Sequence, residues 1–132
     1  MPAVVLVVHD DLEVRALAMA VLRAASFEVA GFADPMAALD ALEANPHVRV
    51  LVTRVLFGPG KPHGVALALM VRAKRRGIKV VFIARKETEP YAEGLGVFLP
   101  MPLNPDILVA TVSRLLRSPD APADDQERRR ER

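Results

Sequence analysis

The sequence contains no cysteine. That removes disulfides, thiolate metal sites and cysteine nucleophiles, and agrees with a reducing compartment. There is no tryptophan, and one tyrosine and five phenylalanines leave few rings on which nucleic-acid bases could stack. No apolar run approaches the ~20 residues that cross a bilayer. Met1-Pro2 leads into an apolar stretch without a basic segment before it, so no signal peptide is expected. Lysine and arginine exceed aspartate and glutamate by 18 to 16, for a net charge of +2. An excess this small does not by itself indicate nucleic acid. These absences point to a cytoplasmic protein with neither a membrane nor a nucleic acid as partner.

What remains is a chain of 132 residues that is 52% hydrophobic, enough for one domain with a real core. Val4 to Val8 is a continuous apolar run, as in a strand covered on both faces. Asp10 or Asp11 can cap a following helix with Val14, Leu17, Val21 and Leu22 at helical spacing. Phe27 to Phe32 reads as a second strand, and Asp34-Pro35 as a capped helix start with proline at the first helical position. That helix runs through Leu39 and Leu42 to Asn45-Pro46, and Val48 to Thr53 is a third strand. The glycines and prolines between Phe57 and Gly64 predict a loop. A helix from Val65 to Arg76 follows, closed by Gly77. Lys79 to Ala84 is a fourth strand, and Glu87 to Glu93, with Pro90 inside it, has room for about two helical turns. Val97 to Leu99 is a fifth strand. Asn104-Pro105 opens a last helix with Ile107, Leu108, Val112, Leu115 and Leu116 on its apolar face. Residues 118 to 132 are polar and predict a disordered tail.

Alternating strands and helices imply a parallel sheet with helices on both faces. Sites in such sheets lie beyond the carboxyl ends of the strands. The residues there are His9-Asp10-Asp11, Thr53-Arg54, Ala84-Arg85 and Pro100-Met101-Pro102. Over residues 3 to 117 these places resemble a bacterial two-component receiver domain. Val7-Val8-His9-Asp10-Asp11 is similar to the acidic motif after strand one, and Leu99-Pro100-Met101-Pro102-Leu103 to the Lys-Pro signature after strand five. Gly58-Pro59-Gly60 and His63-Gly64 are similar to the loop beyond the phosphoryl acceptor.

The resemblance implies a flavodoxin-like, doubly wound α/β fold: a five-stranded parallel sheet in the order 2-1-3-4-5, a (βα)5 receiver-like domain over residues 1–117 with a shortened fourth helix, and the tail at 118–132. It also implies where the chemistry would sit. Carboxylates would gather Mg²⁺, which prefers oxygen ligands, and one of them would attack phosphorus while a lysine neutralises charge. In this chain those positions fall on other residues. The acceptor position is Arg54, 44 residues after Asp10; the hydroxyl position is Ala84, the lysine position Met101 and the first acid His9. Asp10 is the residual metal-type ligand, with Asp11 beside it. A degenerate pocket of His9, Asp10, Asp11, Arg54, Ala84 and Met101 is therefore expected, with no catalytic residue, metal or cofactor. Arg54 is read as a built-in cation pairing with Asp10 or Asp11, against the alternative of a guanidinium directed into solvent. His9 is read as an ordinary hydrogen-bonded histidine.

In receivers the helix 4–strand 5–helix 5 face is the usual output and dimerisation surface. Here it would comprise Phe98, Leu108, Val112 and Leu115, exposed by the short fourth helix and suited to a partner or a homodimer. The basic cluster Arg72, Lys74, Arg75, Arg76 and Lys79 is read mainly as cations at a helix C-terminus. The 15 residues after position 117 are too few for a helix-turn-helix output domain. The leading expectation is a single-domain atypical response regulator, not an enzyme. It would be an adaptor or decoy that binds a sensor histidine kinase or another signalling protein without being phosphorylated. The alternatives are a receiver phosphorylated at a non-standard residue (Asp11, His9 or Thr53) and a small α/β ligand-binding protein. No glycine-rich phosphate loop follows strand one to favour the last.

Overall fold

The computed structural model describes residues 3–58 and 63–117. Pro59 to Pro62 of the expected loop and the expected tail from Ser118 lie outside the described residues. Five strands alternate with helices: β1 (Val5–Val8), α1 (Leu12–Ala24), β2 (Val29–Phe32), α2 (Pro35–Ala44), β3 (Val50–Thr53) and α3 (Gly64–Lys74). After these come β4 (Lys79–Ala84), a 3₁₀ turn at Lys86–Thr88, α4 (Glu89–Ala92), β5 (Val97–Pro100) and α5 (Pro105–Arg117). The strands form one sheet in the order β2-β1-β3-β4-β5, all parallel, as the resemblance implied. Among the described residues no helix is long and apolar enough to cross a membrane.

The unbroken apolar runs of β1 and β3 follow from their place at the centre of the sheet, buried at every position. Strand periodicity then sorts the side chains. Leu6, Val8, Leu51, Val80 and Phe82 pack under α2, α3 and α4, with Leu39, Leu42, Leu67, Val71 and Ala92. Val5, Val7, Val50, Val52, Val81 and Ile83 pack under α1 and α5, with Val14, Leu22, Leu108 and Val112.

Caps set the helix starts as expected. The Asp11 carboxylate accepts from Glu13 and Val14 N–H, the Asp34 carboxylate from Ala37 N–H, and the Asn104 side-chain oxygen from Asp106 and Ile107 N–H. Four local expectations need correction. On α1 the buried stripe is Val14, Ala18 and Leu22. Leu17 lies in solvent, because the small Ala18 rather than a leucine meets the sheet. The third helix stops at Lys74, with Arg75 in extended conformation at its cap. Gly77 is not its left-handed terminator; among the described residues the positive-φ glycine is Gly94, just beyond α4.

Arg75 accounts for that early stop. Its guanidinium donates to the carbonyls of Leu42, Asn45 and Val48, tying the end of α3 to the α2–β3 connection. The fourth correction concerns α5. Leu108 and Val112 are both 0% exposed, and Leu115 is half-buried against the same cluster. The apolar side of α5 is core, turned onto α1 and the sheet, so the brevity of α4 on the opposite face does not uncover it.

Candidate functional site at the carboxyl edge of the sheet

β1 and β3 lie side by side in register, with Val8 opposite Thr53. The residues that leave them, His9-Asp10 and Arg54, therefore emerge together, and Arg54 N–H still donates to Val8 O at 3.3 Å. Asp10 and Arg54 meet there: Arg54 Nη1 donates to Asp10 Oδ1 at 2.6 Å, a charge-assisted bond between partly buried groups. Burial alone would raise the Asp10 pKa. The hydrogen bond and charge of Arg54 outweigh it and hold the carboxyl below its ordinary value.

His9 is 5% exposed. Its Nδ1 accepts from Asp11 N–H at 3.1 Å and stands 3.9 Å from Asp10 Oδ1, while its carbonyl accepts from Arg15 Nη1 at 2.7 Å. Burial, and then the positive charge of Arg54, push the His9 pKa down; Asp10, Asp11 and a hydrogen bond to the Ile83 backbone oppose them without prevailing. His9 is thus a neutral ring accepting through Nδ1 at pH 7. Asp11 is exposed and engaged with the start of α1. Of the two acids named from the sequence, Asp10 is the one that Arg54 holds.

Gly64 makes the turn beneath Arg54 feasible. A Cβ there would lie 1.6 Å from the Arg54 carbonyl oxygen, and Gly64 N–H donates to Val55 O at 2.8 Å. Thr53 is wholly buried, its hydroxyl donating to Arg54 O at 3.1 Å. Above them is a cavity of about 330 Å³ lined by Arg54, Leu56, Ala84, Arg85, Glu87 and Thr88. Ala84 brings a methyl group to its wall and is itself 4% exposed. Met101 N–H donates to Ala84 O at 2.9 Å, but its side chain packs against the core under α1 and α5. The Met101-Pro102 peptide bond is cis.

Sequence reasoning missed Arg15, Glu87 and Gly64. The signal for Arg15 was there: four residues after Asp11, one helical turn returns it over the end of β1. Gly64 had read as loop rather than as the first residue of α3.

This donor set does not fit Mg²⁺. Asp10 Oδ1 carries a guanidinium at 2.6 Å, Arg54 offers only donors, and His9 presents a ring nitrogen already bonded to Asp11 N–H. Among the described residues no group of three or more His, Cys, Asp or Glu is placed to hold a metal ion.

Neither a protein-family model nor a curated protein matches the chain. Solved structures do. The receiver domain of the hybrid histidine kinase CckA is 32% identical, with a TM-score of 0.72 over 86% of this chain and 98% of that one. The receiver domain of NtrX from Brucella abortus has a TM-score of 0.80 at 22% identity, over 87% and 99%. The BeF3-activated DrrB receiver domain has 0.74 at 24%, over 89% and 100%. The last two show the fold, and the first shows the family: this chain belongs to the receiver domains of two-component signalling. Membership of that family gives the domain a role in signalling.

Proposed function

We propose that this receiver domain signals without accepting a phosphoryl group, as an adaptor or decoy that engages a sensor histidine kinase or another signalling protein. The observation that carries the reading is the 2.6 Å contact between Arg54 and Asp10. A side chain that can neither accept a phosphoryl group nor ligate a metal stands where the resemblance puts the acceptor, and it occupies the remaining acid. The methyl of Ala84 and the inward Met101 support it, since neither offers a hydroxyl or an ammonium to a phosphoryl group.

Phosphorylation at a non-standard residue finds less support. Thr53 is 0% and His9 5% exposed, and the Asp11 carboxylate caps α1. Contact with a partner has material nearer the site: Leu12 and Ile107, 66% and 50% exposed, open the two helices of one face. With Leu108 and Val112 in the core, the proposal does not depend on a homodimer through the α4–β5–α5 face.

The test is intact-mass measurement after incubation with Mg²⁺ and acetyl phosphate, and separately with a histidine kinase and ATP. The protein is expected to emerge unmodified while still forming a complex with the kinase. A stable phosphoryl adduct on the folded chain overturns the reading.

A further inference from the structure

β3 and β4 are neighbours in the sheet, with Thr53 opposite Phe82. The residues that leave them, Arg54 and Arg85, therefore rise from the same end, and both line the cavity of about 330 Å³. Its lining has two characters. Leu56, packed against the core, and the methyl of Ala84 are apolar; Arg54 and Arg85 bring guanidinium groups, and Glu87 one carboxylate. The Thr88 hydroxyl already donates to Arg85 O at 2.7 Å, so the two arginines hold the charged donors of the cavity.

We infer that this cavity binds a small organic acid, its carboxylate forked between Arg54 and Arg85 and its short apolar body against Leu56 and Ala84. Asp10 holds Arg54 through Nη1 and does not itself line the cavity. A guanidinium carries five N–H donors on three nitrogens, so one edge can keep Asp10 while another takes a ligand oxygen. Arg85 sits 3.1 Å from Glu87, but these side chains are 75% and 71% exposed, and such a pair contributes little. A ligand carboxylate exchanges with Glu87 on Arg85 at small cost. Capture thus works by exchange of partners, not by a net positive field, because each arginine begins beside a carboxylate.

The same features select the ligand. A planar monoanion matches the fork of a guanidinium, and two guanidiniums already sharing carboxylates suit one added negative charge better than two. Small-molecule pockets start at about 300 Å³, so this one takes a body of a few carbons. Leu56 and Ala84 offer that body a wall with no donor in it. Such binding goes beyond the adaptor reading and needs no phosphoryl transfer. A phosphoryl adduct in the mass measurement would sink that reading and leave this site to its own test.

That test follows amide spectra of the full chain during titration with isovalerate. Saturable shifts confined to residues 54–56 and 84–88 are expected. Arg54→Met and Arg85→Gln should each weaken binding about tenfold, as for loss of one charge-assisted hydrogen bond. Because Arg85 is a surface side chain, its variant tests the fork without disturbing the fold. Glu87→Gln removes the competing carboxylate and should tighten binding, whereas Glu93→Gln, the same change of charge outside the cavity, should leave it unaltered. Isovaleramide, which lacks the charge, and acetate, which lacks the apolar body, should both bind more weakly than isovalerate. The absence of saturable shifts overturns the proposal, as do shifts that survive both arginine variants. Tighter binding of inorganic phosphate would make a phosphoryl-type anion the ligand, and tighter binding of N-acetyl-aspartate amide would make it an acidic side chain of a partner. Either result also overturns it.

Discussion

Arg54 and Arg75 both place a guanidinium just beyond the end of a regular element, yet their surroundings divide the molecule into two kinds of region. Arg75, at the end of α3, donates to three main-chain carbonyls. Arg54, at the end of β3, donates to one carboxylate, beside a buried histidine and an open cavity. The first arrangement fastens two connections together. The second neutralises a charge that the fold left at its carboxyl edge. One residue type thus serves as a fastening at one end of the fold and as a neutralising charge at the other.

The comparison breaks most visibly through the backbone under Arg54. Gly64→Ala drives a methyl into the Arg54 carbonyl and should cost about 3 kcal/mol in urea denaturation, at the upper end for overpacking. It would show that the loop beneath the pair is rigid. Arg75→Met leaves three carbonyls without their charged donor and should cost about 2 kcal/mol, with no dependence on pH between 5 and 8.

The Arg54 region should respond to acid instead. Folded His9 has a lowered pKa, so its share of stability is complete above its ordinary 6.5 and declines as pH falls below it. The share of Asp10 is complete above 3.8 and is lost as pH falls through its still lower folded value. Thermal melts from pH 7.5 to 5 should therefore drop, and His9→Gln should flatten the slope. Arg54→Met should be the mildest in stability, below about 1 kcal/mol because the pair is partly solvated. It should nevertheless raise the Asp10 pKa, read from its carboxyl carbon by NMR. An unchanged Asp10 titration would mean that the 2.6 Å contact has no electrostatic weight.

The sequence made most of the architecture legible, because the inner strands β1 and β3 are short runs rich in β-branched residues and three helix starts carry caps, Asp11, Asp34 and Asn104. It misled where tertiary contacts override local signals. Gly77 looked like a terminator, but Arg75 already ends α3 through carbonyls about thirty residues away. Leu108 and Val112 carried the right spacing for an apolar face, and spacing alone does not say whether that face meets core or partner. At the candidate site the residues were found by position, and the structure supplied the choice between Asp10 and Asp11: the second is engaged with a helix end.

The Arg54–Asp10 contact has a temporal meaning as well. A phosphoryl mark decays by hydrolysis and must be renewed, so a receiver that carries one reports how recently its kinase was active. A guanidinium encoded at position 54 has no such lifetime. Under the proposed reading this domain keeps no record of past stimulation, and its influence on a pathway is set by how many copies the cell holds.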